Sequence, residues 1–94
     1  MSFSCEKEFV KRDYYESTNL IRLSNYPSSL KRIFSYYKKY NETACIILDH
    51  EEVFDKWHFS YPMKNKTINY KVTFDSKKEL IKYINTILDN NVLE

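Results

Sequence analysis

The chain reads as one small α+β domain in two layers, with two helices packed on one face of a mainly antiparallel sheet of three to four strands, in the order β-α-β-β-β-α. Three observations predict this: aromatic residues that alternate over 57–61 and 70–74, an amphipathic spacing over 27–40, and a second apolar stripe over 76–91 that begins with a capping signal. With 94 residues there is room for a single core. Residues 1–94 are therefore expected to form one domain, with 18–91 as its core.

The elements follow in order. In residues 1–17, Phe3, Cys5, Phe9, Val10, Tyr14 and Tyr15 fit neither a 3.6 nor a 2.0 period, so no regular element is assigned there. Leu20-Ile21-Arg22-Leu23 is a short strand candidate, and Ser24-Asn25-Tyr26-Pro27 reads as a turn leading into a helix. From Pro27 to Tyr40 the apolar residues Leu30, Ile33, Phe34 and Tyr37 follow the i, i+3, i+4, i+7 spacing, which predicts an amphipathic helix. Thr43 to Leu48 is an apolar run rich in strand formers and reads as a central strand, closed by the polar segment Asp49 to Glu52. Trp57, Phe59 and Tyr61 alternate with His58 and Ser60, while Tyr70, Val72 and Phe74 alternate with Lys71 and Thr73. Together they predict a hairpin with its aromatic face inward. Ser76-Lys77-Lys78-Glu79 is a capping box. It opens a helix whose stripe is Leu80, Ile84, Ile87 and Leu88, with Ile81 on the flank, and Asn90-Asn91 supply the stop because Asn tolerates left-handed backbone.

Composition narrows the function. The chain is 43% apolar and 17% aromatic, led by nine tyrosines, so bulky rings can build a core despite the short length. Glycine is absent, which excludes Walker-type phosphate loops and the glycine-rich dinucleotide fingerprint. The wealth of Phe, Ile, Lys, Asn and Tyr is what an AT-rich coding sequence produces, and points to a virus, a mobile element, or an AT-rich microbe or parasite as the source, with a viral or mobile-element accessory protein as the leading reading. Cys5 and Cys45 form no CxxC pair and read as reduced, partly buried thiols. The first residues hold no apolar run and no stretch approaches membrane-spanning length, so a cytoplasmic protein without membrane association is expected.

The densest ionisable cluster is Asp49-His50-Glu51-Glu52 with Asp55, the raw material of acid-base or metal chemistry. Between two strands it reads more simply as a solvated loop. Cys5, Cys45, His50 and His58 lack the close pairing of structural zinc ligands, and Asp75 and Ser76 are accounted for by the helix start rather than by a nuclease-like acid pair. No catalytic residue, metal ligand or cofactor is assigned, and no small-molecule substrate is indicated.

On the predicted first helix, Lys31, Arg32, Lys38 and Lys39 stand together with no acid between residues 28 and 41. That basic face, with Tyr36 and Tyr40 beside it and Tyr14 and Tyr15 as surplus aromatics, is the expected interaction surface, directed at a protein partner or a second copy in a homodimer. The plainer alternative is a solvated face neutralised by Glu42, Asp49, Glu51, Glu52 and Asp55.

The order helix, three strands, helix over residues 27–91, opened by Pro27-Ser-Ser-Leu30 and again by Ser76-Lys77-Lys78-Glu79, resembles the double-stranded-RNA-binding domain. The resemblance implies that Lys77 and Lys78 contact phosphates, with Lys82 on the next turn, and that the first helix, bearing Lys31 and Lys38, lies against the minor groove. The sequence departs from that family before and along the second helix, where it has no glycine and carries Leu80, Ile84 and Ile87 in place of alanines. The leading expectation is thus a non-enzymatic protein-interaction module, with nucleic-acid binding as the alternative.

Overall fold

The computed structural model describes residues 3–17 and 29–94. The strand candidate at Leu20–Leu23 and the turn at Ser24–Pro27 lie outside the described residues. The described elements are α1 (Glu6–Lys11), β1 (Tyr14–Glu16), β2 (Leu30–Lys38), β3 (Asn41–Glu51), β4 (Lys56–Pro62), β5 (Asn69–Phe74) and α2 (Lys77–Asp89). The strands form one five-stranded antiparallel sheet in the spatial order β1-β2-β3-β4-β5. The α+β class and the antiparallel sheet agree with expectation, and the sheet is larger than the three to four strands predicted.

The main correction concerns residues 30–38, predicted as a helix and found as strand β2. Ile33, Phe34, Tyr36 and Tyr37 are β-branched or aromatic and suit a pleated surface. The four residues of the helix-like spacing do not share a face: Leu30 lies opposite Glu51 and Tyr37 opposite Cys45 on the outer side, while Phe34 lies opposite Leu48 in the core. Arg32 pairs with Asp49 and Phe34 with Leu48, so Ile33 is an extra residue opposite a continuous β3. A bulge of this kind breaks the period of two: Arg32 and Phe34, two positions apart, face opposite sides of the sheet. The helix-strand-helix order of the double-stranded-RNA-binding domain is lost with that helix. The N-terminal segment, to which no element was assigned, supplies both α1 and β1.

β3 is the central strand, as predicted, but it runs on through Asp49, His50 and Glu51, which were read as loop. β4 and β5 form the expected hairpin in unbroken register, from Trp57 opposite Phe74 to Pro62 opposite Asn69. Alternation then places Phe34, Tyr36, Ile46, Leu48, Trp57, Phe59 and Tyr61 on one buried face, against Phe9 of α1 and Leu80, Ile84, Ile87 and Leu88 of α2. Phe9 sits edge-on to Tyr14, Phe34 and Tyr36, with ring centroids 6.5, 5.8 and 5.5 Å away. This is the geometry in which ring edges meet ring faces favourably.

The termini of α2 follow the sequence closely. Ser76 accepts a hydrogen bond from the Glu79 backbone N–H at 3.2 Å, the N-terminal half of the capping box. At the other end Asn91 adopts φ 53°, its N–H donates to Leu88 O, and the Val92 N–H donates to Ile87 O. This is a Schellman closure with asparagine in the usual glycine position. The chain then returns to the sheet: Leu93 is buried and bridges Met63, so the core extends past residue 91 to the last residues.

Without glycine, left-handed backbone falls to Asp13, Asp55, Asn65 and Asn91, residue types that tolerate it, and to Tyr40 at φ 69° in the β2–β3 turn. For tyrosine that conformation is strained by about 1 kcal/mol. Tyr40→Gly is expected to raise the unfolding free energy by about 0.5–1 kcal/mol in urea titration. An unchanged or lower value would contradict the strain.

Candidate functional site

The residues singled out from the sequence do not gather into one basic surface. Tyr14 and Tyr36 are only 2% and 3% exposed and belong to the core. The Tyr14 hydroxyl donates to the Glu94 backbone oxygen at 2.6 Å, and that of Tyr36 to the Glu6 carboxylate at 3.0 Å. They are corrected from surface anchors to interior residues. Arg32 grips Asp49 through two hydrogen bonds, of 2.9 and 3.3 Å, and Lys31 pairs with Glu52 at 2.7 Å. The acids of the 42–55 segment thus neutralise this part of the chain, as the plainer reading expected. Lys38 lies over the Tyr14 ring and donates to the backbone oxygens of Arg12 and Glu94. Lys39 and Tyr40 occupy the β2–β3 turn, with the Lys39 ammonium over a Tyr40 ring that is 93% exposed. Tyr15 is exposed and lies against Tyr37, ring centroids 6.2 Å apart.

Of the lysines implied by the RNA-binding resemblance, Lys77 caps the Phe3 ring at 4.7 Å, while Lys78 and Lys82 are exposed on α2. Lys31 and Lys38 are engaged on β2, so the five do not form a common phosphate-facing row.

The sheet face turned away from the helices carries a polar network that sequence reasoning did not assemble. Asp49, paired across the strands with Arg32 and His58, is only 4% exposed. The His58 ring meets Thr73 Oγ1 at 3.1 Å through Nδ1 and Glu51 Oε2 at 3.4 Å through Nε2. A carboxylate, an imidazole and a hydroxyl are therefore in line, able to hold the ring in one orientation and relay polarisation to Thr73. His50 belongs to the opposite side: it stacks on Trp57 at 3.9 Å and meets Asp55 at 2.7 Å, closing the β3–β4 turn. The signal for these contacts was the alternation of acids and histidines along 49–58, legible only once β3 was known to continue to Glu51. Among the described residues no three His, Cys, Asp or Glu side chains converge as a metal site.

A recess of about 200 Å³ lies between the N-terminal segment and α2, lined by Phe3, Cys5, Lys77, Ile81 and Ile84 among others. Burial, helped by the neighbouring Glu6, pushes the Cys5 thiol up to about 11, so it stays protonated and is a poor nucleophile. Cys45 is also raised by burial and accepts from Asn69 Nδ2 at 3.2 Å, and both cysteines are free thiols. Burial likewise raises Tyr14, Tyr36 and Tyr61, reinforced by Glu94, by the hydrogen bond to Glu6 and by the hydrogen bond to Tyr83 respectively.

These shifts fix the sign of the pH dependence. In the unfolded chain these groups ionise near their ordinary values, 9.0 for the thiol and 10.0 for the phenols, while in the fold they keep their protons. Their contribution to stability is present below 9.0 and is lost as pH rises above it. Urea midpoints measured at increasing pH are expected to fall from that point, and Tyr61→Phe is expected to flatten the descent at the alkaline end. A midpoint that does not move there would contradict the burial of these groups.

Exposed apolar side chains occur on both helices, as Val10 and Ile81, and at the ends and edge of the sheet. Val53 and Phe54, in the β3–β4 turn, are 71% and 68% exposed. Ile68 and Tyr70 are exposed where β5 begins. No helix among the described residues is long and apolar enough to cross a membrane. No family model matches the chain, and no curated protein and no solved structure shows significant similarity to it.

Proposed function

We propose that the chain is a small non-enzymatic interaction module, of the kind used as viral or mobile-element accessory proteins, and that it works through protein–protein contacts. The observation that carries this reading is the projecting Val53–Phe54 pair. Two adjacent apolar side chains stand on a turn whose base is held by the His50–Trp57 stack and the His50–Asp55 hydrogen bond. A rigid turn that presents an aromatic ring to solvent loses little entropy on docking, and aromatic side chains supply much of the energy of protein interfaces. The anchor role expected of Tyr14 and Tyr36 passes to Phe54 and Val53, with Tyr40 on the β2–β3 turn at the opposite end of the sheet.

The experiment is a paired affinity capture from cells expressing the chain, using wild type and V53S/F54S. The reading predicts a partner retained by wild type and lost from the variant. Stability should change by no more than about 0.5 kcal/mol, as for other exposed substitutions. Equal capture by both proteins would contradict it.

The nucleic-acid alternative is separated by titrating a labelled RNA duplex at low and high salt. Phosphate binding must weaken steeply as salt rises. With Arg32 ion-paired and Lys31 and Lys38 engaged, no such binding is expected. Salt-sensitive binding abolished by Lys78→Glu and Lys82→Glu would favour the alternative instead.

A further inference from the structure

The outer face of the sheet brings three side chains from three neighbouring strands into one line: Glu51 at the end of β3, His58 in β4 and Thr73 in β5. Thr73 lies directly across from His58 in the β4–β5 register, so their contact is built into the ladder. Glu51 sets the polarity of the line. A carboxylate only accepts, so the His58 Nε2 that faces Glu51 Oε2 at 3.4 Å carries the proton. In the neutral ring Nδ1 then holds the lone pair, and it is Nδ1 that meets Thr73 Oγ1 at 3.1 Å. The hydroxyl therefore donates to a base whose tautomer a third group holds, which is the arrangement that activates a nucleophile. His58 and Glu51 are largely withdrawn from water, whereas Thr73 is exposed and open to an incoming reagent. The exposed Thr43 and Thr86 are placed differently: they donate to the Asn41 side-chain oxygen and the Lys82 backbone oxygen, and neither amide oxygen is a base. Lys71 precedes Thr73 by two residues on the same face, about 7 Å along the strand, where its ammonium can approach negative charge that develops beside Thr73.

We propose that Thr73 is a site of covalent acylation, taking the acyl group of an activated carboxylic ester with His58 as general base and Glu51 as the positioning residue. Thr73 Oγ1 attacks the carbonyl carbon while its proton passes to His58 Nδ1. The carbonyl re-forms as the bond to the leaving oxygen breaks, the bonding pair departs with that oxygen, and His58 returns the proton to it. The products are an ester on Thr73 and the free alcohol. The chain is the acceptor in a single transfer, so the site stands beside the interaction role of the Val53–Phe54 turn, and neither result decides the other.

The test exposes the full chain to p-nitrophenyl acetate and locates the acetyl groups by peptide mass mapping. Thr43 and Thr86 serve as internal references for hydroxyls without a base, and circular dichroism confirms that each variant is folded. A positioned general base contributes at least about 10²-fold, so Thr73 is expected to be acetylated about 10²-fold faster than either reference. His58→Ala should remove that advantage and Thr73→Ser should retain it. Glu51→Gln should slow the transfer. Nitrogen NMR of the His58 ring should also show the proton on Nε2 in wild type and a loss of that preference in Glu51→Gln, a change that a merely structural role of Glu51 would not produce. Acetylation of Thr73 no faster than that of Thr43 and Thr86 would overturn the proposal. So would labelling of Thr73 indifferent to His58→Ala, or a wild-type ring that carries its proton on Nδ1.

Discussion

One additional residue in β2, Ile33, governs how the two faces of the sheet divide the side chains between them. Up to Arg32 the strand directs its alternate residues one way, and after Ile33 the other, so that Arg32 reaches Asp49 on the outer face while Phe34 and Tyr36 enter the core. Without the bulge, Phe34 and Arg32 would share a face, and either a ring would leave the interior or a guanidinium would enter it. A charge placed among aromatic rings without its partner carries a penalty of several kcal/mol, roughly the whole margin of a small domain. The Arg32–Asp49 pair, largely withdrawn from water, is worth little as a net source of stability. It is satisfied only when β2 and β3 are in the correct register, and so it discriminates against slipped pairings.

The rest of the core is an answer to the missing glycine and the short chain. Rings rather than many small residues fill the space between sheet and helices, and their polar tips find partners: Tyr14 with Glu94, Tyr36 with Glu6, Tyr61 with Tyr83. These hydrogen bonds draw the N-terminal helix, the β4–α2 packing and the last residues of the chain onto one sheet face. Among the described residues left-handed turns fall to Asp and Asn, except at Tyr40, whose ring is exposed to solvent. The same withdrawal of tyrosines into the interior explains why fewer aromatic side chains remain on the surface than the composition implies.

Much of the architecture was legible in the sequence because it depends on strictly local signals. The β4–β5 hairpin declares itself through alternation, and α2 through its serine cap, its four-residue apolar stripe and its asparagine stop. β2 was not legible, since Leu30, Ile33, Phe34 and Tyr37 fall at a helical spacing along the chain although the strand sends them to both faces of the sheet; only the enrichment in Ile, Phe and Tyr favoured a strand. β3 was read too short because Asp49, His50 and Glu51 look like loop until Arg32, Trp57 and His58 are set beside them. The basic surface failed for the same reason: Lys31, Arg32 and Lys38 look unopposed along the chain, and their partners come from β3, from the β3–β4 turn and from backbone carbonyls distant in sequence. What remains exposed, the Val53–Phe54 turn and the β5 edge, follows from sheet order, which local patterning does not encode.

The claim on which this account depends is that residues 30–38 form a strand with its phase reversed at Ile33. Nuclear Overhauser contacts across the β2–β3 ladder measure it directly. The account predicts cross-strand contacts of Arg32 with Asp49 and of Phe34 with Leu48, with Ile33 lacking a partner of its own. Sequential contacts three residues apart, from Leu30 to Ile33 and from Phe34 to Tyr37, would mean a helix and would contradict it.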